Sequence, residues 1–141
     1  MSTAPVRLRT KASWLVNQAA TVAHRLTLRS GARRYHYGIL AALDEGGPSS
    51  QAALSRRTGI DRSDVVAVIN ELADAGHVDR SPDPADGRRN LISLTDDGVR
   101  QLNQLESLVS DTQDVFLAPL DRAEREQLTG LLARLVEHHA G

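Results

Sequence analysis

Apolar residues recur along most of the chain at helical spacing, interrupted by one stretch in which short extended runs flank a turn. Leu8, Ala12, Leu15, Ala19, Val22 and Leu26 form one stripe, predicting a long first helix that ends near Ser30-Gly31. A second helix is predicted over residues 35–45. Gly46-Gly47-Pro48 stops it, because glycine takes the left-handed cap and proline cannot continue a helix. Ser50 is placed to cap a short third helix over residues 51–58, closed by Gly59. Asp61 is placed to cap a fourth, whose stripe is Val65, Val68 or Ile69, and Leu72, with Gly76 just past its end. HVDRS and RNLISLT follow, two extended runs separated by PDPADG, and read as a hairpin with an exposed tip. Thr95 can cap a fifth helix, with Asp96 and Asp97 near the positive end of its dipole and a stripe of Leu102, Leu105, Val109, Thr112 and Phe116. Pro119 breaks it. Asp121 with Glu124 resembles a capping box opening a sixth helix that carries Leu128, Leu131, Leu132 and Leu135. The predicted class is mainly α with a small β-hairpin.

The third and fourth helices fit a helix-turn-helix. Such a motif needs a small residue midway along its first helix for close crossing, a left-handed turn, and apolar residues to bury the crossing. Ser55, Gly59 and the set Leu54, Ile60, Val65 and Val68 meet these needs. An ordinary helical hairpin also matches so degenerate a pattern. The β-hairpin that follows adds the winged arrangement, in which a recognition helix enters the major groove and the hairpin tip reaches the flanking minor groove or phosphates. Residues 35–95 are thus expected to be a winged helix-turn-helix, and residues 1–34 with 96–141 a helical dimerisation region.

Composition narrows the picture. The 141 residues suit one domain with an extension, and 40% apolar with 25% charged residues is ordinary for a folded chain. Without cysteine, disulfides, thiolate metal sites and thiol redox sensing are excluded. No apolar run approaches a membrane span and no signal-peptide pattern is evident, so the expected location is the cytoplasm. The net charge of −1 conceals a polarised chain: seven basic and two acidic residues up to residue 49, but four basic and nine acidic from residue 91 onward. That distribution matters more than the total for binding a polyanion.

On the fourth helix Arg62, Ser63, Asp64, Val66, Ala67 and Asn70 lie away from the apolar stripe. Arg62 and Asn70 suit guanine and adenine edges, and Val66 and Ala67 suit thymine methyls; Asp64 suits a cytosine amine or its own helix terminus. Ser50, Arg56 and Arg57 on the third helix are expected at phosphates, which position without specifying sequence. In the wing, Arg88 and Arg89 follow the turn, where guanidinium groups can enter a narrow minor groove. Asp86 is placed to orient Arg88 or to pair with Arg80 on the preceding strand.

Asp86-Gly87-Arg88 followed by Ile92-Ser93-Leu94-Thr95-Asp96-Asp97-Gly98 resembles the wing of the MarR family of bacterial transcriptional regulators. That family carries Asp-x-Arg and then Leu-x-Leu-Thr-x-x-Gly; here Ile replaces the first Leu. The resemblance covers about residues 35–135. It implies a homodimer built from the first, fifth and sixth helices, holding two winged domains across a pseudo-palindromic double-stranded DNA site. It also implies transcriptional control, usually repression, relieved by a small anionic or aromatic effector lodged between the dimerisation helices and the winged domain. Trp14, Arg25, Tyr35, His36 and Tyr37 are the candidate effector residues, an aromatic wall with one arginine for a planar carboxylate.

The histidines are scattered, and adjacent His138 and His139 point to different helix faces, so no metal site or other cofactor is expected. No nucleophile–base pair or phosphate loop marks an enzyme. The competing expectation is a winged-helix adaptor that binds protein without reading DNA.

Overall fold

The computed structural model describes residues 3–140. Its elements run α1 (Val6–Arg9), α2 (Ala12–Ser30), α3 (Arg34–Gly46), α4 (Gln51–Thr58), α5 (Arg62–Asp74), β1 (Val78–Pro82), β2 (Asn90–Leu94), α6 (Asp96–Phe116) and α7 (Arg122–His139). The helical and extended patterns therefore emerge where expected, with one correction at the start. The first helix is not continuous from Leu8. The Thr10 hydroxyl donates to the Val6 carbonyl at 2.8 Å, completing a single turn, and the long helix begins again at Ala12.

The chain divides into two compact units, one of which is Thr27–Ser110. Its core gathers Ile39, Leu40 and Leu43 from α3, Leu54 from α4, and Val65, Val68, Ile69 and Leu72 from α5. Val78 and Ile92 from the strands and Leu102 and Leu105 from α6 complete it. Both Val68 and Ile69 are buried, so the stripe of α5 is broad enough to touch α3 and α4 together. The strands pair antiparallel with Val78 opposite Leu94 and Pro82 opposite Asn90. A third strand-like contact joins them: Ser49 and Ile92 exchange both backbone hydrogen bonds, at 3.0 and 2.8 Å. This bridge pins the segment before α4 to the hairpin.

Gly98 explains the glycine that ends the wing motif. A Cβ there would lie 2.1 Å from the His77 carbonyl oxygen, so the start of α6 is packed on the start of β1 at a distance only glycine allows. Thr95 locks the same corner, its hydroxyl accepting from the Gly98 N–H at 3.0 Å and donating to the Gly76 carbonyl at 2.7 Å.

The other unit takes in the chain up to Leu26 and from Asp111 onward. Asp121 caps α7 through the complete capping box with Glu124. Arg125 braces the preceding corner, donating to the Leu120 carbonyl and pairing with Asp114 at 3.0 Å. Neither α2 nor α7 buries any residue, and Leu15, Val22, Leu131, Leu135 and Val136 are all exposed.

Candidate nucleic-acid interface

The helix-turn-helix is closed by side chains that satisfy its own backbone. Ser50 accepts from the Ala53 N–H at 3.2 Å, capping α4 as expected. Gly59 turns the chain in the left-handed region at φ 72°. Ser55 donates to the Ile60 carbonyl at 2.7 Å, and the Thr58 hydroxyl accepts from the Ile60 N–H, so side chains of α4 hold both backbone groups of Ile60. Asp61 stands at the cap position of α5 but does not cap it. Its carboxylate instead accepts from the Ser63 hydroxyl at 2.6 Å, because the shorter hydroxyl contact competes with the helix N–H groups. Asp64 lies in the first turn, where the helix dipole favours an acid.

With Val65, Val68, Ile69 and Leu72 buried, the expected contact residues Arg62, Ser63, Asp64, Val66, Ala67 and Asn70 all lie exposed on α5. Two arrive already engaged. Ser63 is donating to Asp61, and the Asn70 carbonyl oxygen accepts from the Arg80 guanidinium. Arg80 therefore does not pair with Asp86; the pleat of β1 puts it on the side of Val78, facing α5.

The wing tip is built by two aspartates. Asp83 accepts from the Ala85 N–H at 2.9 Å, and Asp86 accepts from the Arg88 N–H at 3.1 Å. Each folds its side chain onto the backbone two residues ahead, shaping the turn without glycine-like dihedrals. Asp83, not singled out by the sequence, also faces Arg89 at 3.7 Å. Among the described residues the side chains of Arg88 and Arg62 form no hydrogen bond or ion pair.

These elements meet in a cleft of about 350 Å³ lined by Ser50, Gln51, Ala52, Arg62, Arg88, Arg89 and Asn90. Three arginines and the first residues of α4 line one concavity, and no acidic residue is among its lining. The bridge from Ser49 to Ile92 holds its two sides together. Such a place is suited to a phosphate.

Arg57 is not part of it. Its guanidinium donates to the Ala42 carbonyl at 3.0 Å and lies over Gly46, stapling the end of α3 instead of facing a phosphate. Arg56 is exposed on the same helix with its head free among the described residues.

The candidate effector residues of α3 do not share one face. Consecutive helical side chains diverge by about 100°, and Tyr35, His36 and Tyr37 go to three places. Tyr35 carries the Arg34 guanidinium 4.8 Å above its ring, beside a separate cleft of about 510 Å³ against the turn at Gly59. His36 is buried, its Nε2 2.6 Å from a Glu71 oxygen that Arg33 also holds at 3.1 Å. Burial pushes the His36 pKa below its usual 6.5, outweighing the raising effect of the Glu71 hydrogen bond. Tyr37 donates to Glu106 on α6, which, with burial, raises the phenol to about 12. Arg25 is exposed and Trp14 half-buried on α2.

The fold is that of a winged helix-turn-helix protein, with three arginines lining the cleft between α4 and its wing. The MarR family pattern matches residues 30–89. A protein of Thauera aromatica named as a transcriptional regulatory protein for the hcr operon is 36% identical over 113 residues, 80% of this chain and 68% of that one. The HTH-type transcriptional repressor NicR of Pseudomonas putida is 30% identical, over 70% of this chain and 62% of its own. The crystal structure of the PcaV transcriptional regulator from Streptomyces coelicolor with its natural ligand superposes with a TM-score of 0.82 at 30% identity, covering 96% of this chain and 98% of that one. The chain belongs to the MarR family of winged-helix transcriptional regulators. No helix among the described residues is long and apolar enough to cross a membrane.

Proposed function

We propose that this protein binds a pseudo-palindromic duplex as a homodimer, represses neighbouring genes, and releases the DNA when a small anionic or aromatic effector binds. The cleft where Arg62, Arg88 and Arg89 surround the start of α4 carries the reading: it seats a phosphate between recognition helix and wing. Arg62, Ser63, Asp64, Val66, Ala67 and Asn70 then face base edges, while Ser50 and Arg56 hold the backbone. Residues 35–95 act as the reading domain, and residues 1–34 with 96–141 as the dimerisation region, located in the cytoplasm.

Dimerisation is supported by the exposed leucines and valines of α2 and α7. Interfaces of obligate dimers bury more than about 2,000 Å². Twofold symmetry places the half-sites about 34 Å apart. Repression and effector relief rest on likeness: NicR is named a repressor, and PcaV was solved with a natural ligand. The role is that of a regulator and not of an enzyme.

A salt titration on DNA from the region upstream of the protein's own gene tests the reading. Several phosphate contacts give a log–log slope of order −5, with sequence preference persisting at physiological salt. Addition of a panel of aromatic acids is expected to release the DNA. Binding without any sequence preference at low salt would favour the adaptor instead.

A further inference from the structure

We propose that Arg80, a strand residue, sets which bases the recognition helix accepts by fixing the orientation of the Asn70 amide. The inference rests on the reading of α5 as the recognition helix.

Asn70 is exposed on α5, one turn beyond Val66 and away from the buried Ile69 and Leu72. Val78 and Arg80 share one face of β1, and Val78 is buried in the core beside α5, so the Arg80 stem is carried along that helix. Its guanidinium donates to Asn70 Oδ1. Arg80 is in none of the ion pairs among the described residues, and the amide oxygen is the hydrogen-bond partner of its side chain. A guanidinium has only donors, so turning the amide over would set N–H against N–H. The chemistry of the pair therefore dictates which end of Asn70 meets Arg80, independently of how the amide atoms are assigned.

The consequence is a polarity. The Nδ2 group, with two N–H donors, is the end presented outward, and it needs an acceptor on the base. Purine N7, guanine O6 and thymine O4 supply one; the cytosine N4 amine does not. Oδ1 keeps a second lone pair, so adenine, with N7 and the N6 amine side by side, satisfies both ends. An asparagine free of Arg80 turns either end toward the groove and adapts to any base. Rejection of cytosine at this position thus comes from a residue on the wing strand that need not touch a base. Arg80 is a positioning residue, and Asn70 the group it positions.

Selection of binding sites from a random duplex pool, followed by affinity measurements on singly substituted sites, tests this with the intact protein. Wild type is expected to disfavour cytosine at one position per half-site by about tenfold, the scale of one base contact. Arg80→Met is expected to bring that discrimination within about twofold while other positions keep theirs. Arg80→Lys, still a pure donor, is expected to restore it. Asn70→Asp keeps an oxygen for Arg80 but presents an acceptor, so its preference is expected to move toward cytosine. Circular dichroism and size-exclusion chromatography establish that each variant is folded. An Arg80→Met protein with wild-type preference at every position, or an Asn70→Asp protein with unchanged preference, overturns the proposal. Absence of any sequence preference in wild type overturns the DNA reading itself, a separate and recognisable result.

Discussion

The unit Thr27–Ser110 and the helices α2 and α7 solve the same problem differently. In the first, Ile39, Leu40, Leu54, Ile69, Leu72 and Ile92 are wholly buried within one chain, and the turns at Gly59 and Gly76 are tied by side chains. In α2 and α7 nothing is buried, and Leu131, Leu135 and Val136 stand 49%, 53% and 68% exposed. Both carry apolar stripes at helical spacing; what differs is where the partner surface lies. The winged unit carries its own, whereas the terminal helices hold apolar surface that a second copy is proposed to cover, gaining roughly 25 cal/mol per Å² buried. Stability of the first is therefore expected to be independent of concentration, and that of the second to depend on it.

The largest break in this contrast comes from Gly98→Ala. The new methyl group would overlap the His77 backbone oxygen, which no side-chain rotation relieves. A loss of about 3 kcal/mol or more is expected, with a fall in melting temperature of roughly 10 °C or more, at every protein concentration. A melting curve within a few degrees of wild type would show that the corner of α6 yields.

Next in size is the double substitution Leu131→Glu with Leu135→Glu on α7. It is expected to convert the protein to monomers at micromolar concentration, seen by sedimentation, and to weaken operator binding by about a hundredfold or more through loss of the second half-site. The near-ultraviolet and amide-exchange signatures of the core around Leu54 and Ile69 should persist. Dimers that survive both charges would remove α7 from the interface.

Arg62→Ala and Arg88→Ala come third and leave both units folded, since neither guanidinium is tied to the chain. Loss of one phosphate contact lowers the log–log salt slope by about one. Arg57→Ala, by contrast, should leave the slope unchanged and cost stability, because its guanidinium serves the end of α3.

Much of this was legible in the sequence, for a physical reason: periodicity and capping are local, and local signals are what a linear chain displays. Ser50, Gly59, Gly76 and the capping box at Asp121 sit where their residue types require. What escaped were contacts between distant positions. Asn70 with Arg80, Arg57 with Ala42, and Ser49 with Ile92 depend on how elements cross, and the spacing along the chain carries no record of that. The separate surroundings of Tyr35, His36 and Tyr37 were hidden for the opposite reason. Three adjacent aromatic residues look like a cluster in a string, yet a helix sends them apart. The glycine of the wing motif was visible, but its reason, the His77 carbonyl beneath it, was not.

The smallest expected effect concerns the links that fasten α3 to its neighbours. His36 is held below its usual pKa chiefly by burial, so the folded unit favours the neutral ring. The unfolded chain takes up a proton near 6.5 while the folded one does not. Stability is therefore full above that value and declines as pH falls from it toward the lowered folded pKa. Glu71, also lowered, adds its loss only at more acid pH, below 4.5. On the alkaline side the sign reverses for Tyr37: its phenol stays protonated to about 12, so the stability that it contributes is complete below 10 and fades between those values. His36→Gln is expected to flatten the acid limb of a stability–pH profile below about 6.5, and Tyr37→Phe the alkaline limb above about 10, each by no more than about 1 kcal/mol at these partly hydrated sites. Denaturant midpoints measured across pH, at a concentration where the protein stays dimeric, resolve both limbs. An acid limb that His36→Gln leaves intact would take that titration away from His36, and would show that the clasp between α3 and the recognition helix holds regardless of the charge on its histidine.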